Sequence, residues 1–199
     1  MLLQYFTYFP SLFFVVALLL FFIVVLRTHE LPSRTLRWGL FVSVALLLSR
    51  GIVYSVLQYR FWQKALPYLL PPYQPTYFLK YASFRFFSSF FLSCVIALLL
   101  LFVFWALQRY SRGKWLDTNE RLLVFFGALS AGWPGAVLYA IGVFVLPLIV
   151  TPWLAGAVHD RRIRLAPFII ISAFLAMGLT PLILPHAPWL EVLVCKTCL

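Results

Sequence analysis

No carboxylate interrupts the long apolar runs that make up most of this chain. The five acidic residues, Glu30, Asp117, Glu120, Asp160 and Glu191, all fall in the connections between runs or in the tail. A helix needs about 20 apolar residues to cross a hydrocarbon core of about 30 Å, and inside it every backbone polar group must be satisfied by its own segment. Lipid is therefore the solvent for most of the sequence. Composition agrees: 64% hydrophobic, 19% aromatic and 11% charged, with mean hydropathy +0.98, describe a polytopic membrane protein and not a soluble domain. The scarcity of ionisable groups also excludes most hydrolytic chemistry, since acid/base and metal sites are built from carboxylates, histidines and thiolates.

The apolar runs cover 11–26, 38–58, 84–108, 122–132, 134–158 and 165–184. They predict one all-α transmembrane helical bundle over residues 1–185 with six membrane segments, followed by a tail at 186–199. The first run has no Lys or Arg before it and Arg27 after it, the reverse of a signal peptide, so it reads as an uncleaved span with its N-terminus outside. The fourth run is short: its residues, at 1.5 Å each, fall well below the core thickness of about 30 Å. Two readings stand for it. Either it forms one kinked span with the fifth, or Gly132-Trp133-Pro134-Gly135 is a turn that other helices must surround.

With six crossings, three connections share a face, and together they hold ten of the sixteen Lys and Arg residues. These are Arg27, Arg34 and Arg37 in the first, Arg109, Arg112, Lys114 and Arg121 in the second, and Arg161, Arg162 and Arg164 in the third. The positive-inside rule makes that face cytoplasmic. It also accounts for the net charge of +11 without nucleic acid, because the cations stand at segment ends where headgroups lie. The stretch 59–83 is then outside. Its prolines (Pro67, Pro71, Pro72, Pro75) forbid a continuous helix and its aromatics suit the headgroup layer, so it reads as an interfacial hairpin.

At the inner end of the first run the chain reads Val25-Leu26-Arg27, then Leu31-Pro32-Ser33-Arg34. Before the fourth run it reads Asp117-Thr118-Asn119-Glu120-Arg121-Leu122, followed by Gly127 and then Gly132-Trp133. Before the last it reads Arg162-Ile163-Arg164-Leu165-Ala166-Pro167-Phe168. In this order the three pieces resemble the prepilin peptidases, the aspartyl membrane proteases that process type IV pilin leaders. In that family an aspartate precedes a Leu-Arg pair and a Leu-Pro step, and a second aspartate stands in Gly-x-Gly-Asp-x-Lys-Leu. The resemblance runs over most of the chain. Leu26, Arg27, Pro32, Arg34, Arg121, Gly132, Trp133 and Pro167 fit it, and both flanking glycines of the second motif are replaced.

The aspartate positions fall on Val25 and Asn119. Aspartyl proteolysis needs two carboxyls sharing a proton, one activating water and one polarising the carbonyl. Valine does neither and asparagine is no base; losing such groups costs a factor of about 10² to 10⁴ each. The resemblance thus implies a bacterial inner-membrane pseudo-enzyme, a binding or assembly component that engages a pilin-like transmembrane helix or another membrane subunit. Two alternatives stand beside it. One is an active leader peptidase using the neighbouring acids Asp117 and Glu120; the other is an unrelated small transport or structural protein.

Other candidates are weaker. His29, His159 and His186 share no helical spacing with one another or with the cysteines, so no metal site and no cofactor is expected. Cys195 and Cys198 form a lone C-x-x-C that an oxidising compartment would close into a disulfide. Arg50 is the one cation well inside a run; such a charge is either functional or extends to the headgroups. Ala128 with Gly132, and Ala131 with Gly135, are small residues at the spacing that lets membrane helices approach closely.

Overall fold

The computed structural model describes residues 2–28, 32–70, 75–110, 118–155, 165–183 and 186. All regular structure among them is helical: α1 (Leu2–Thr28), α2 (Ser33–Ala65), α3 (Pro75–Ala82), α4 (Ser88–Tyr110), α5 (Thr118–Ala155) and α6 (Ala166–Ile183). A 3-10 turn, Pro67–Leu69, follows α2, and a π turn, Ser83–Phe87, joins α3 to α4 without a break. Five helical stretches are long and apolar enough to cross a membrane. The chain is a multi-pass membrane protein in contact with lipid. Large apolar side chains such as Leu12, Leu20, Phe41, Leu99, Phe102 and Leu148 point outward, as a lipid solvent permits.

Helix ends differ from the run boundaries for identifiable reasons. The second span reaches Ala65, well past 58, and the third begins as α3 at Pro75, so the connection between them shrinks from 59–83 to 66–74. Proline at the first helical position has no N–H to lose, and so Pro75 starts α3 instead of breaking it. The added turns are held by a small aromatic core: Trp62, Leu70, Phe78 and Ala82 are buried, with Tyr59, Tyr81 and Phe86 against them. Trp62 packs on Phe78 and Tyr81 with ring centroids 5.6 and 4.9 Å apart. Edge and tilted ring pairs of this kind add about 0.5–1.5 kcal/mol each beyond area burial.

The fourth and fifth runs form one element, α5, bent at Gly132 (φ 61, ψ 168) and Trp133 (φ −77, ψ 136). In an unbroken helix Val124 and Tyr139 would stand about 22 Å apart along the axis. Instead, the Tyr139 hydroxyl donates to the Val124 carbonyl oxygen at 3.1 Å. A tyrosine side chain does not span 22 Å, so the limbs 118–131 and 134–155 fold back on one another as a hairpin. Gly127 makes the approach possible, since a Cβ there would lie 2.5 Å from the Tyr139 oxygen. The turn is covered on one side: Pro134, Gly135 and Ala136 are buried while Gly132 and Trp133 are half-buried, and Pro134, joined to Trp133 by a cis peptide, brings no N–H that would need a partner.

The second limb of α5 runs antiparallel to α6. A Cβ on Gly135 would meet Thr180, and one on Gly142 would lie 3.3 Å from the Ser172 Cβ. The close contact expected at Ala128 and Gly132 is therefore made elsewhere, because Gly132 lies in the bend and not on a helix face. Around this pair the main core gathers Phe14, Leu18, Phe21 and Val25 of α1, Ala97, Leu100 and Phe104 of α4, and Ile169, Ile170, Ala173 and Ala176 of α6. Each set repeats at three or four residues, one face of a helix.

Candidate functional site

Most of the motif-bearing residues fall at helix ends on one side of the bundle, while Gly132 and Trp133 stand apart at the bend of α5. One or two turns below that end, Phe21 of α1 meets Phe126 of α5 at 5.1 Å between ring centroids. A Cβ on Gly39 of α2 would touch both rings, at 3.1 and 3.7 Å. Three helices thus meet at one depth. Parity sets the direction: α2 crosses away from the α1–α2 connection and the α3–α4 rod crosses back, which returns Tyr110 and Thr118 to the face of Thr28 and Ser33. The first limb of α5 enters from that face and the second returns toward it.

Glu120 ties α6 to the same face. Its Oε1 accepts the backbone N–H groups of Leu165 at 2.9 Å and Ala166 at 3.2 Å. These are orphan donors at the start of α6, and the carboxylate also meets the positive end of the helix dipole. The chain thereby brings the Asn119-Glu120-Arg121 segment onto the Leu165-Ala166-Pro167 segment across 45 residues of sequence. Pro167 is tolerated there because it lies in the first turn of α6.

The individual placements are less uniform. Val25 is a packing residue, 4% exposed and part of the apolar core, so it faces no open cleft. Leu26 and Arg27, one and two positions on, are exposed, as are Pro32 and Arg34 at the start of α2. Asn119, Glu120 and Arg121 are half-buried and each is engaged by other groups. Gly132 and Trp133 lie at the bend, both half-buried, and the Trp133 indole Nε1 is shielded from solvent with no hydrogen-bond acceptor. Arg50 lies apart from this end, midway along α2, with its guanidinium 5.8 Å from the Tyr54 ring centroid. Asp117, His29, His159, Cys195 and Cys198 lie outside the described residues, and His186 is exposed.

Chemically, this end supplies backbone and carboxylate acceptors with arginines at its margin. Glu120 is the one carboxylate among the described residues, and its Oε1 is taken up by the start of α6. Sequence reading missed three contributors: the Glu120 cap, the Tyr139 bond across the hairpin, and the close approach at Gly127. Only Tyr139 carried a signal, as a polar group inside an apolar run whose hydroxyl needs a partner when buried. Compared with models of protein families, with curated proteins and with solved structures, the chain matches none.

Proposed function

We propose that this membrane protein is prepilin-peptidase-like in architecture, has lost the peptidase reaction, and acts by binding a pilin-like transmembrane helix or another membrane subunit. One observation carries the reading: the ends of α1 and α5, where the likeness puts the two family aspartates, share a face and a depth, yet hold a buried valine and an asparagine. The likeness rests on three short motifs in order and on no overall sequence match. A six-segment arrangement with the short fourth limb folded inside the bundle, the N-terminus outside and the arginine-rich face in the cytoplasm of a bacterial inner membrane completes the proposal. Support for that orientation comes from the sequence, where ten of the sixteen Lys and Arg residues fall in the three connections that six crossings would put on one side.

The competing enzyme reading relies on Asp117 and Glu120. Glu120 serves it poorly, since its Oε1 already accepts the Leu165 and Ala166 N–H groups and is held at the start of α6. Co-expression with a prepilin separates the two. The proposal expects no cleavage of the leader and co-purification of the intact prepilin with this chain. Cleavage that Asp117→Asn or Glu120→Gln abolishes would establish the enzyme instead, and a prepilin that neither binds nor is cleaved would remove both.

A further inference from the structure

Two helical elements are much longer than a membrane requires. At 1.5 Å per residue the apolar stretch Ser33–Ala65 is about 50 Å long and Thr76–Tyr110 about 52 Å, against about 28 Å for Phe9–Arg27 and about 27 Å for Ala166–Ile183. The short pair matches a hydrocarbon core of about 30 Å, and a tilt of about 20° would shorten the reach of the long pair by only about 3 Å. Ser33 and Tyr110 both lie at the Arg27 end. The surplus of α2 and of the α3–α4 rod therefore projects past the opposite edge of the core as a hairpin.

Its own rings hold the projecting part in register. Tyr59 and Trp62 of α2 pack on Phe78 with centroids 5.3 and 5.6 Å apart, and Trp62 packs on Tyr81 at 4.9 Å. The small core formed in this way takes all its described members from 59–86, the hairpin itself. Arg60 and Lys64 stand two residues to either side of Trp62, and Lys80 stands two residues from both Phe78 and Ala82. At about 100° per residue, each of these cations lies on the back of its helix, away from that core. All three are exposed, and no acidic residue occurs between Glu30 and Asp117. Three cations thus ring a hairpin that has no carboxylate of its own.

Their depth identifies what surrounds them. Counted along the helices, Arg60 is about 40 Å and Lys64 about 47 Å from Ser33, and Lys80 is about 45 Å from Tyr110, while a bilayer with its headgroups is about 40–45 Å thick. The cations therefore stand in the headgroup layer opposite the Arg27 end. Exposed Phe61, Tyr77 and Phe84 flank them, as rings that favour this boundary do. Lipid phosphates are the anions of that layer. We infer that the hairpin tip is an electrostatic docking surface for anionic lipid headgroups, held by Arg60, Lys64 and Lys80 in the leaflet opposite the Arg27 end.

The test reads which lipid lies beside the tip of the full-length protein. Gln63→Cys, at an exposed position between the cations, is labelled with bimane in a background with Cys94, Cys195 and Cys198 replaced. The labelled protein is reconstituted in mixed vesicles of phosphatidylglycerol and phosphatidylcholine, one of the two carrying a nitroxide near its headgroup that quenches the fluorophore. The expected result is stronger quenching by labelled phosphatidylglycerol. That excess falls roughly fivefold in Lys64→Gln, the share of one basic side chain at an anionic surface, and vanishes when Arg60→Gln and Lys80→Gln are added. Arg109→Gln, exposed at the other end of α4 and equal in charge change to Lys64→Gln, leaves the excess as in the parent. Lys64→Gln alone covers the case in which the triple variant does not fold. Equal quenching by the two lipids, or an excess unchanged in the cation variants, overturns the inference. Quenching by a water-soluble agent alone also overturns it, since the tip would then stand beyond the headgroups with an acidic soluble partner as its occupant.

Discussion

At the level of single residues, the chain uses its few polar groups to join segments. Glu120 holds two N–H groups at the start of α6 while carrying the charge that the helix terminus favours. Glu120→Ala removes both effects and is expected to lower stability by about 2 kcal/mol, while Glu120→Gln keeps the acceptor and loses about half as much. Thermal unfolding in detergent measures the order of the two. Val25 makes the complementary point: it is almost wholly enclosed by apolar neighbours. Val25→Asp puts an unpaired carboxyl into that core, expected to cost roughly 3 kcal/mol or more and to restore no peptidase activity. A variant as stable as the parent would show that position 25 faces a polar cleft after all.

For the elements, α5 is the centre of the bundle and its bend is what lets it be so. Gly132 has φ 61 and ψ 168, a region nearly closed to residues with a Cβ, while an added Cβ there would meet nothing within 4 Å. Gly132→Ala is therefore expected to destabilise by about 1–3 kcal/mol through the backbone alone, which denaturation of the purified variant would read directly. Antiparallel packing of the second limb on α6 has its own check. The Gly142 and Ser172 positions approach with would-be Cβ atoms 3.3 Å apart, close to the roughly 3.5–4.5 Å a disulfide spans. Gly142→Cys with Ser172→Cys, in a background with Cys94, Cys195 and Cys198 replaced, should oxidise to an intramolecular bond that protects both thiols from alkylation. Free thiols after oxidation would mean that α5 does not return along α6.

Taken whole, the molecule separates two kinds of surface. Its Arg27 end collects the starts of α2, α5 and α6, and its opposite half carries the α2–α4 hairpin with five cations and an aromatic core. Arg34→Cys and Arg109→Cys, both at exposed positions, should be labelled by an impermeant thiol reagent from one side of sealed vesicles, and Lys64→Cys from the other. Labelling of Arg34→Cys and Arg109→Cys from opposite sides would break the parity on which the shared face of the α1 and α5 ends depends.

The sequence by itself determined the solvent, the helical class and the approximate spans, because backbone satisfaction in lipid leaves a long apolar run without carboxylates little choice but helix. It also marked Gly132-Trp133-Pro134-Gly135 as a break, through residues that supply a positive φ and omit a donor. Direction after the break was not legible: a kinked span and a folded hairpin have the same local chemistry, and the choice is made by a bond from Tyr139 to Val124 fifteen positions away. The role of Glu120 was hidden for the same reason, its partners lying at 165 and 166. Helix ends near Trp62 and Pro75 outran the hydropathy pattern because aromatic packing between elements, and not the burial of each in lipid, extends them. Propensity and solvent act along the chain; register, reversal and capping depend on which distant groups the fold brings within a few ångströms.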